Sequence, residues 1–451
     1  MKDINAAFQW KCQPKAEALI CEILDKSISE NESIATLAHD LQKLTSTRLF
    51  DWLDHVIVGF SETLETRIDE YGFIVMSTTP TYRVYQHPGA QLPRIVVYDH
   101  DPQILGVGVN VESIADFLMV RGLSREIEGS PFSSYRRCCI SMDNDVSLWV
   151  VERRGAPGME PIYHDENYLE KYVTSQEKWK TRSRDSLDED EAFDQSLQLA
   201  QEMVEDIGEE LAAWIILSCE REYWQARNLA GQVQKNRQDR LGMGWANHDH
   251  HTFRSSRRHF TKLVRLFEIL GFHCRERFYA GKEAGWGAQV MENPKCHLVL
   301  FLDVDLAPHE VEIDFSHHPF SDRPELGTIG LWCALHGDSI LKSGMHHLEA
   351  QFLFEELTKD LANHGVAMMD PFSAFPYLKQ AFTHGEIWKV DPRRVEAIAK
   401  AKKITREQAD KFISHGAVGS HLENLQRREG YKGFNQKNVS FIIEKTDPRK
   451  Q

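Results

Sequence analysis

Four times along the chain, a short β-like run leads into an amphipathic helix that ends on a glycine followed by an apolar residue. A repeat of this kind constrains the fold more than any local propensity, because each copy must bury its apolar face against another. The copies run from His55 to Gly72-Phe73, Val107 to Gly122-Leu123, His250 to Gly271-Phe272 and His347 to Gly365-Val366. Their strand-to-glycine offsets are 17, 15, 21 and 18 residues. Each glycine stands where a helix needs a left-handed residue to end on. Strand-like runs follow, as in Arg94-Ile95-Val96-Val97-Tyr98, Ser147-Leu148-Trp149-Val150-Val151 and His297-Leu298-Val299-Leu300-Phe301-Leu302. The expected unit is a strand, a helix and then several strands. Four such units predict an α+β chain with two pseudo-symmetric domains, each a pair of units forming a curved sheet around a cavity.

With 451 residues the chain is too long for one core. Residues 1–45 carry Ile20, Ile23, Leu24, Ile34, Leu37 and Leu41 at helical spacing and predict N-terminal helices, a cap or a homodimer surface. The first pair of units is expected over 46–160 and the second over 240–451. Between them, 161–239 reads as a helical connector, with Leu197, Met203, Ile207, Leu211, Trp214 and Ile215 on its apolar face. A net charge of -15 argues against a nucleic-acid surface. No apolar run approaches the ~20 residues of a membrane helix, and the first ten residues do not read as a secretory signal. The eight cysteines form no C-x-x-C pair and read as reduced thiols of a cytoplasmic protein.

Histidine is the unusual residue, with 21 copies, several in doublets. An iron(II) oxygenase needs two neutral imidazoles and one carboxylate on one face of the metal, with positions left open. His250 lies on the first strand of the third unit and His347 on that of the fourth. A carboxylate is then expected on a late strand of the fourth unit, where Gly419-Ser420-His421-Leu422-Glu423 supplies Glu423. Strand alternation sends His251 and His346 to the opposite face. The doublets still leave the choice of histidine open, and Glu349 shares a face with His347 as His421 does with Glu423.

Asp249-His250-His251-Thr252-Phe253-Arg254, with Leu270-Gly271-Phe272-His273 and Phe278-Tyr279-Ala280-Gly281, resembles the start of the hydroxyglutarate synthase family, the 2-oxoadipate dioxygenase/decarboxylases and related plant proteins. The family's His-x-x-x-Arg is matched by His250 and Arg254. Its Asn-His-Leu-Thr strand start is matched by His346-His347-Leu348-Glu349. Its Gly-Ser-His and Glu-x-x-Gln-Arg elements are matched by Gly419-Ser420-His421 and Glu423-Asn424-Leu425-Gln426-Arg427. The resemblance covers 240–445 in pieces. It departs at His346 for Asn, at Glu349 for Thr, and in the short step from Gly-Ser-His to the glutamate. The N-terminal pair and connector resemble the layout of 4-hydroxyphenylpyruvate dioxygenase.

The resemblance implies the vicinal oxygen chelate fold and an Fe(2+) cofactor on His250, His347 and Glu423. It also implies a 2-oxo acid chelated through its carboxylate and keto oxygen, O2 as co-substrate, and oxidation coupled to decarboxylation. Arg254 would clamp a substrate carboxylate, and Gln426, Lys432 and Asn435 are further candidates for substrate contact. The competing readings are an extradiol, isomerase or lyase enzyme on the same ligands, and a binding protein without turnover.

Other motifs read more simply. Asp314-Phe315-Ser316-His317-His318 precedes Pro319 and reads as a loop. Trp332 is a core candidate and His336 a cavity candidate. His55 holds the first-strand position of unit one without a histidine to match it in unit two, so the N-terminal pair is expected to be metal-free. Leu105-Gly106-Val107-Gly108-Val109 lacks the Lys-Ser/Thr ending of a phosphate loop.

Overall fold

The computed structural model describes residues 10–435 and 447–450, apart from Leu187, Glu283 and Asp322. Two helices open the chain, α1 (Pro14–Glu30) and α2 (Glu32–Thr45). The first unit is β1 (Leu53–Gly59), α3 (Glu62–Glu70), β2 (Ile74–Thr78), β3 (Tyr82–Gln86) and β4 (Arg94–Tyr98). The second is β5 (Leu105–Asn110), α4 (Ile114–Val120), β6 (Tyr135–Asp143) and β7 (Val146–Arg153). Helices α5 (Glu166–Thr181), α6 (Glu189–Ile207), α7 (Glu209–Gln225) and α8 (Leu229–Asp239) follow. The third unit is β8 (His248–Arg254), α9 (Phe260–Ile269), β9 (His273–Tyr279), β10 (Trp286–Asn293) and β11 (Leu298–Asp305), after which α10 (Thr328–His336) is inserted. The fourth comprises β12 (His347–Gln351), α11 (Phe354–Ala362), β13 (Ser373–Phe375), β14 (Leu378–Phe382), β15 (Glu386–Trp388), α12 (Pro392–Lys400), α13 (Arg406–His415) and β16 (Ala417–Arg427).

The repeat is present in atomic detail. Gly72, Gly122, Gly271 and Gly365 all have positive φ, at 86°, 63°, 76° and 77°. In each unit the amide after the glycine bonds back to the last turn: Phe73 to Ile68, Leu123 to Leu118, Phe272 to Phe267 and Val366 to Leu361, at 2.9–3.1 Å. These are four copies of one C-terminal cap. The second unit has two trailing strands where the first and third have three. Its missing strand is reduced to one bridge, Glu128 to Arg137, because Gly129, Pro131 and a left-handed Phe132 interrupt the run.

The sheets are built alike. The first has the order β2-β3-β4-β1-β5-β7-β6 and the second β13-β14-β16-β12-β8-β11-β10-β9, with β15 beside β16. In each, the two first strands pair antiparallel at the centre, β1 with β5 and β8 with β12. Each of these is flanked in parallel by the last strand of its own unit. This is the paired-unit arrangement that the repeat predicts.

A helical layer covers one face of each sheet. Leu19, Ile20, Ile34, Leu37 and Leu41 of α1 and α2 pack on the first sheet, and Asn31 ties them down by donating to the Val146 carbonyl at 2.8 Å. Phe193, Leu211, Ile215, Ile216 and Trp224 share a core with Phe253, Leu348, Ala350 and Leu422 of the second sheet. Each such side chain contributes roughly 1.5–3 kcal/mol. Alternation then turns His250, Thr252 and Arg254 on β8, and His347 and Glu349 on β12, to the other face.

The glycine run is strand β5. A Cβ at Gly108 would lie 2.0 Å from the His55 ring, so glycine makes room for a histidine that is itself held by Asp54 at 2.8 Å. The 314–318 segment is a turn-rich loop, and Trp332 is fully buried. His336 is bonded to the Val418 carbonyl at 3.0 Å and is not part of the cavity wall.

The start of α1 meets the segment that follows β16. The Gln13 amide donates to the Glu429 carbonyl and the Gly430 amide to the Glu17 carboxylate, both at 2.6 Å. The Gln91 amide of the first half also bonds Gly430, at 3.0 Å.

Candidate metal centre

The free face of the second sheet curls around a cavity of about 80 Å³. Its centre is the junction of β8, β12 and β16, where the register sets Glu349 opposite both His250 and Glu423, and His347 opposite His421. Ligand-type atoms of His250, His347 and Glu423 all lie within 4.8 Å of one another, and all three residues are buried. Nε2 of His347 is 2.9 Å from Oε2 of Glu423.

Second contacts fix the two imidazoles. Asp249 Oδ1 lies 3.3 Å from His250 Nδ1, a contact that orients the ring with Nε2 toward the cavity. Arg427 grips Asp249 with two bonds, 2.9 and 3.0 Å. His347 Nδ1 lies 2.8 Å from His346 Nδ1, so the neighbouring imidazole orients this ring through its Nδ1 edge. Burial depresses the pKa of both ring systems, so they are neutral, as ligands must be. Burial raises the Glu423 and Glu349 carboxyls well above the usual range, and repulsion from Glu423 adds to the shift at Glu349. Gln380 donates to the second oxygen of Glu423 at 3.1 Å. Two neutral nitrogens and a carboxylate with orienting partners fit a divalent ion of the iron type.

Arg254 faces the same cavity. Its nearest carboxylate, Asp303, stands 3.7 Å away, beyond hydrogen-bond length, and its buried Nε and Nη1 have no hydrogen-bond partner. Burial lifts the Asp303 carboxyl to about 7 against the pull of Arg254. Phe278, Trp286, Phe301, Phe372, Phe382 and Phe434 form the apolar wall, and Phe301 and Phe434 pack on the His250 ring at 4.6 and 5.0 Å.

Of the other sequence candidates, Asn435 lines the cavity and donates to the Phe372 carbonyl at 3.0 Å. Gln426 and Lys432 require correction. Gln426 lies three residues beyond Glu423, so alternation turns it outward, where it accepts from the Phe354 amide at 3.0 Å. Lys432 leaves the cavity to pair with Glu292 at 3.0 Å beside Trp10. The histidine doublets split differently. His251 does face away, towards Arg221. His346 lies on the cavity wall, because it precedes β12 and escapes the strand's alternation. Gln380, Asp303 and the aromatic wall were not singled out from the sequence. The signal for Asp303 was an acidic residue inside an apolar run, Leu302-Asp303-Val304, and Gln380 shares its strand with the outward-facing Lys379 and carries no such signal.

No protein-family description matches the chain, and no curated protein is similar to it. Among solved structures, a triple mutant of 4-hydroxymandelate synthase from Streptomyces coelicolor is similar at 11% identity. That match covers 89% of this chain and 99% of that one, with a TM-score of 0.30. Methylmalonyl-CoA epimerase from Mycobacterium tuberculosis is similar at 10% identity over 41% of this chain and 89% of that one, TM-score 0.23. An uncharacterized protein from Shigella flexneri that includes domain DUF1338 is similar at 12% identity over 57% and 82%, TM-score 0.24.

Proposed function

We infer that the chain is a mononuclear non-haem iron(II) dioxygenase that oxidises a small 2-oxo acid or related carboxylate, with decarboxylation. The observation that carries this reading is the convergence of two neutral imidazoles and one carboxylate, His250, His347 and Glu423, in an aromatic-walled cavity. Iron(II) bound there would supply the redox chemistry and a chelation point for the oxo acid. The chain's own residues do the rest. Asp249 and His346 orient the two imidazoles through their Nδ1 edges, leaving the Nε2 edges toward the cavity. Gln380 fixes the Glu423 carboxylate. Arg254 offers unpaired N–H donors to a second substrate carboxylate. The phenylalanines exclude water from the reacting face.

The test is anaerobic iron loading followed by oxygen uptake with a panel of 2-oxo acids and catechols. His250→Ala, His347→Ala and Glu423→Ala should each lose iron while the fold survives. Full iron in any one of them removes that residue from the ligand set. Uptake with catechols alone would shift the assignment to ring cleavage. Bound metal without uptake on either panel would favour an isomerase or lyase, or a binding protein without turnover. The extra carboxylate of Glu349 beside the trio is the observation that keeps this second reading open.

A further inference from the structure

Glu349 lies between His250 and Glu423, paired in register with one on β8 and the other on β16. It is fully buried, and neither carboxyl oxygen has a hydrogen-bond partner. Its Oε2 nevertheless stands 2.5 Å from Nε2 of His250. That contact sets the Glu349 carboxyl directly against the His250 nitrogen that faces the cavity. Two such groups come together when both face one cation. Among the described residues no cationic side chain hydrogen-bonds Glu349, and Arg427 is spent on Asp249 and the loop carbonyls. The equivalent position in the third unit, two residues beyond His250, is Thr252, so the carboxylate is not a demand of the fold. A buried carboxylate left without a donor or cation is costly by several kcal/mol.

We propose that Glu349 is a fourth protein ligand of the metal held by His250, His347 and Glu423. The proposal rests on the three-ligand reading above. Two imidazoles and two carboxylates make a set that is electrically neutral around a divalent ion. In six-coordinate geometry it leaves two positions rather than three. A chelating oxo acid would use both. Oxygen chemistry at this centre therefore requires Glu349 to release, whereas chemistry needing only substrate chelation does not. Glu349 thus sets which reaction class the site admits.

The experiment uses the full chain and Mn(II) as probe. Affinity is measured by equilibrium dialysis, and the water ligands of bound Mn(II) are counted by water-proton relaxation. Glu349→Ala should weaken Mn(II) by more than the ~10–100-fold typical of outer-shell changes. It should also raise the relaxation per bound ion by about half, as a third water enters. Glu349→Gln preserves the shape and should lose affinity in the same direction. If both variants match the parent in affinity and relaxation while Glu423→Ala loses the ion, Glu349 is a protonated neighbour and the proposal falls. If Glu423→Ala keeps its Mn(II), the three-ligand reading fails first, and the fourth ligand with it.

Discussion

Replacing Arg427 by Met leaves Asp249 buried opposite His250 without its cation. In the intact protein Arg427 gives Asp249 two bonds, at 2.9 and 3.0 Å, and gives two more to the carbonyls of Tyr431 and Gly433, at 3.0 and 2.6 Å. Burial alone would raise the Asp249 carboxyl, and the Arg427 charge outweighs it, so the pKa lies below the usual range. Breaking such a buried pair costs about 3–5 kcal/mol. The carboxylate can escape by taking a proton, which for an ordinary Asp at pH 7 costs about 4 kcal/mol, so the loss should saturate near that value. The sign follows by linkage. The parent's depressed pKa gives stability that is present above about pH 4 and is lost as pH falls further. In the variant the carboxyl is raised instead, so stability falls as pH rises above about 4. The gap between the two should widen by about 1.4 kcal/mol per pH unit from 4 towards 7. Urea unfolding of the metal-free proteins across this range measures it, with m checked for constancy. A gap under about 1 kcal/mol at pH 7, or one that does not change with pH, would refute the reasoning. Metal affinity should fall as well, by roughly 10–100-fold, as His250 loses a charged acceptor.

Arg254→Lys should keep the metal and raise the substrate concentration for half-maximal oxygen uptake more than it lowers turnover, and Arg254→Ala should be worse by a few kcal/mol. Unchanged kinetics at full iron occupancy would make Arg254 structural. Gly108→Val forces the His55 ring from its place on β1 and should cost at least about 1–3 kcal/mol; an unchanged urea midpoint would mean that the ring moves freely. His259 bridges Asp338 at 2.5 Å and Asp190 of α6 at 3.2 Å, and against the pull of burial Asp338 holds its pKa above the ordinary value. Its contribution should be complete below about pH 6.5 and lost as pH rises through the raised value. His259→Gln should therefore flatten the stability profile over that window, and an identical profile would count against the bridge.

The repeat was legible because it rests on backbone chemistry that glycine marks in the sequence. Four caps with positive φ leave the same signature wherever they occur. The site was legible as far as strand alternation reaches, which brings His250, Arg254, His347, Glu349, His421 and Glu423 to one cavity. Alternation also excludes Gln426, and the register of Glu-x-x-Gln-Arg had overridden it. His346 could not be placed because the exact start of β12 decides its direction. Lys432 was drawn off by Glu292, a partner 140 positions away that no local pattern reveals.

The contact between the start of α1 and the segment after β16 ties the cavity to that helix. Phe434 and Asn435 line the cavity only a few residues beyond Glu429 and Gly430, which the first turn of α1 holds in place. A ligand that stiffens the 431–435 segment therefore stiffens the start of α1 as well, and thermodynamic reciprocity makes the coupling run both ways. Amide exchange at the N-terminal end of α1 should slow when the cavity fills. A truncation that removes Gln13 and Glu17 should weaken ligand binding without touching any residue of the cavity.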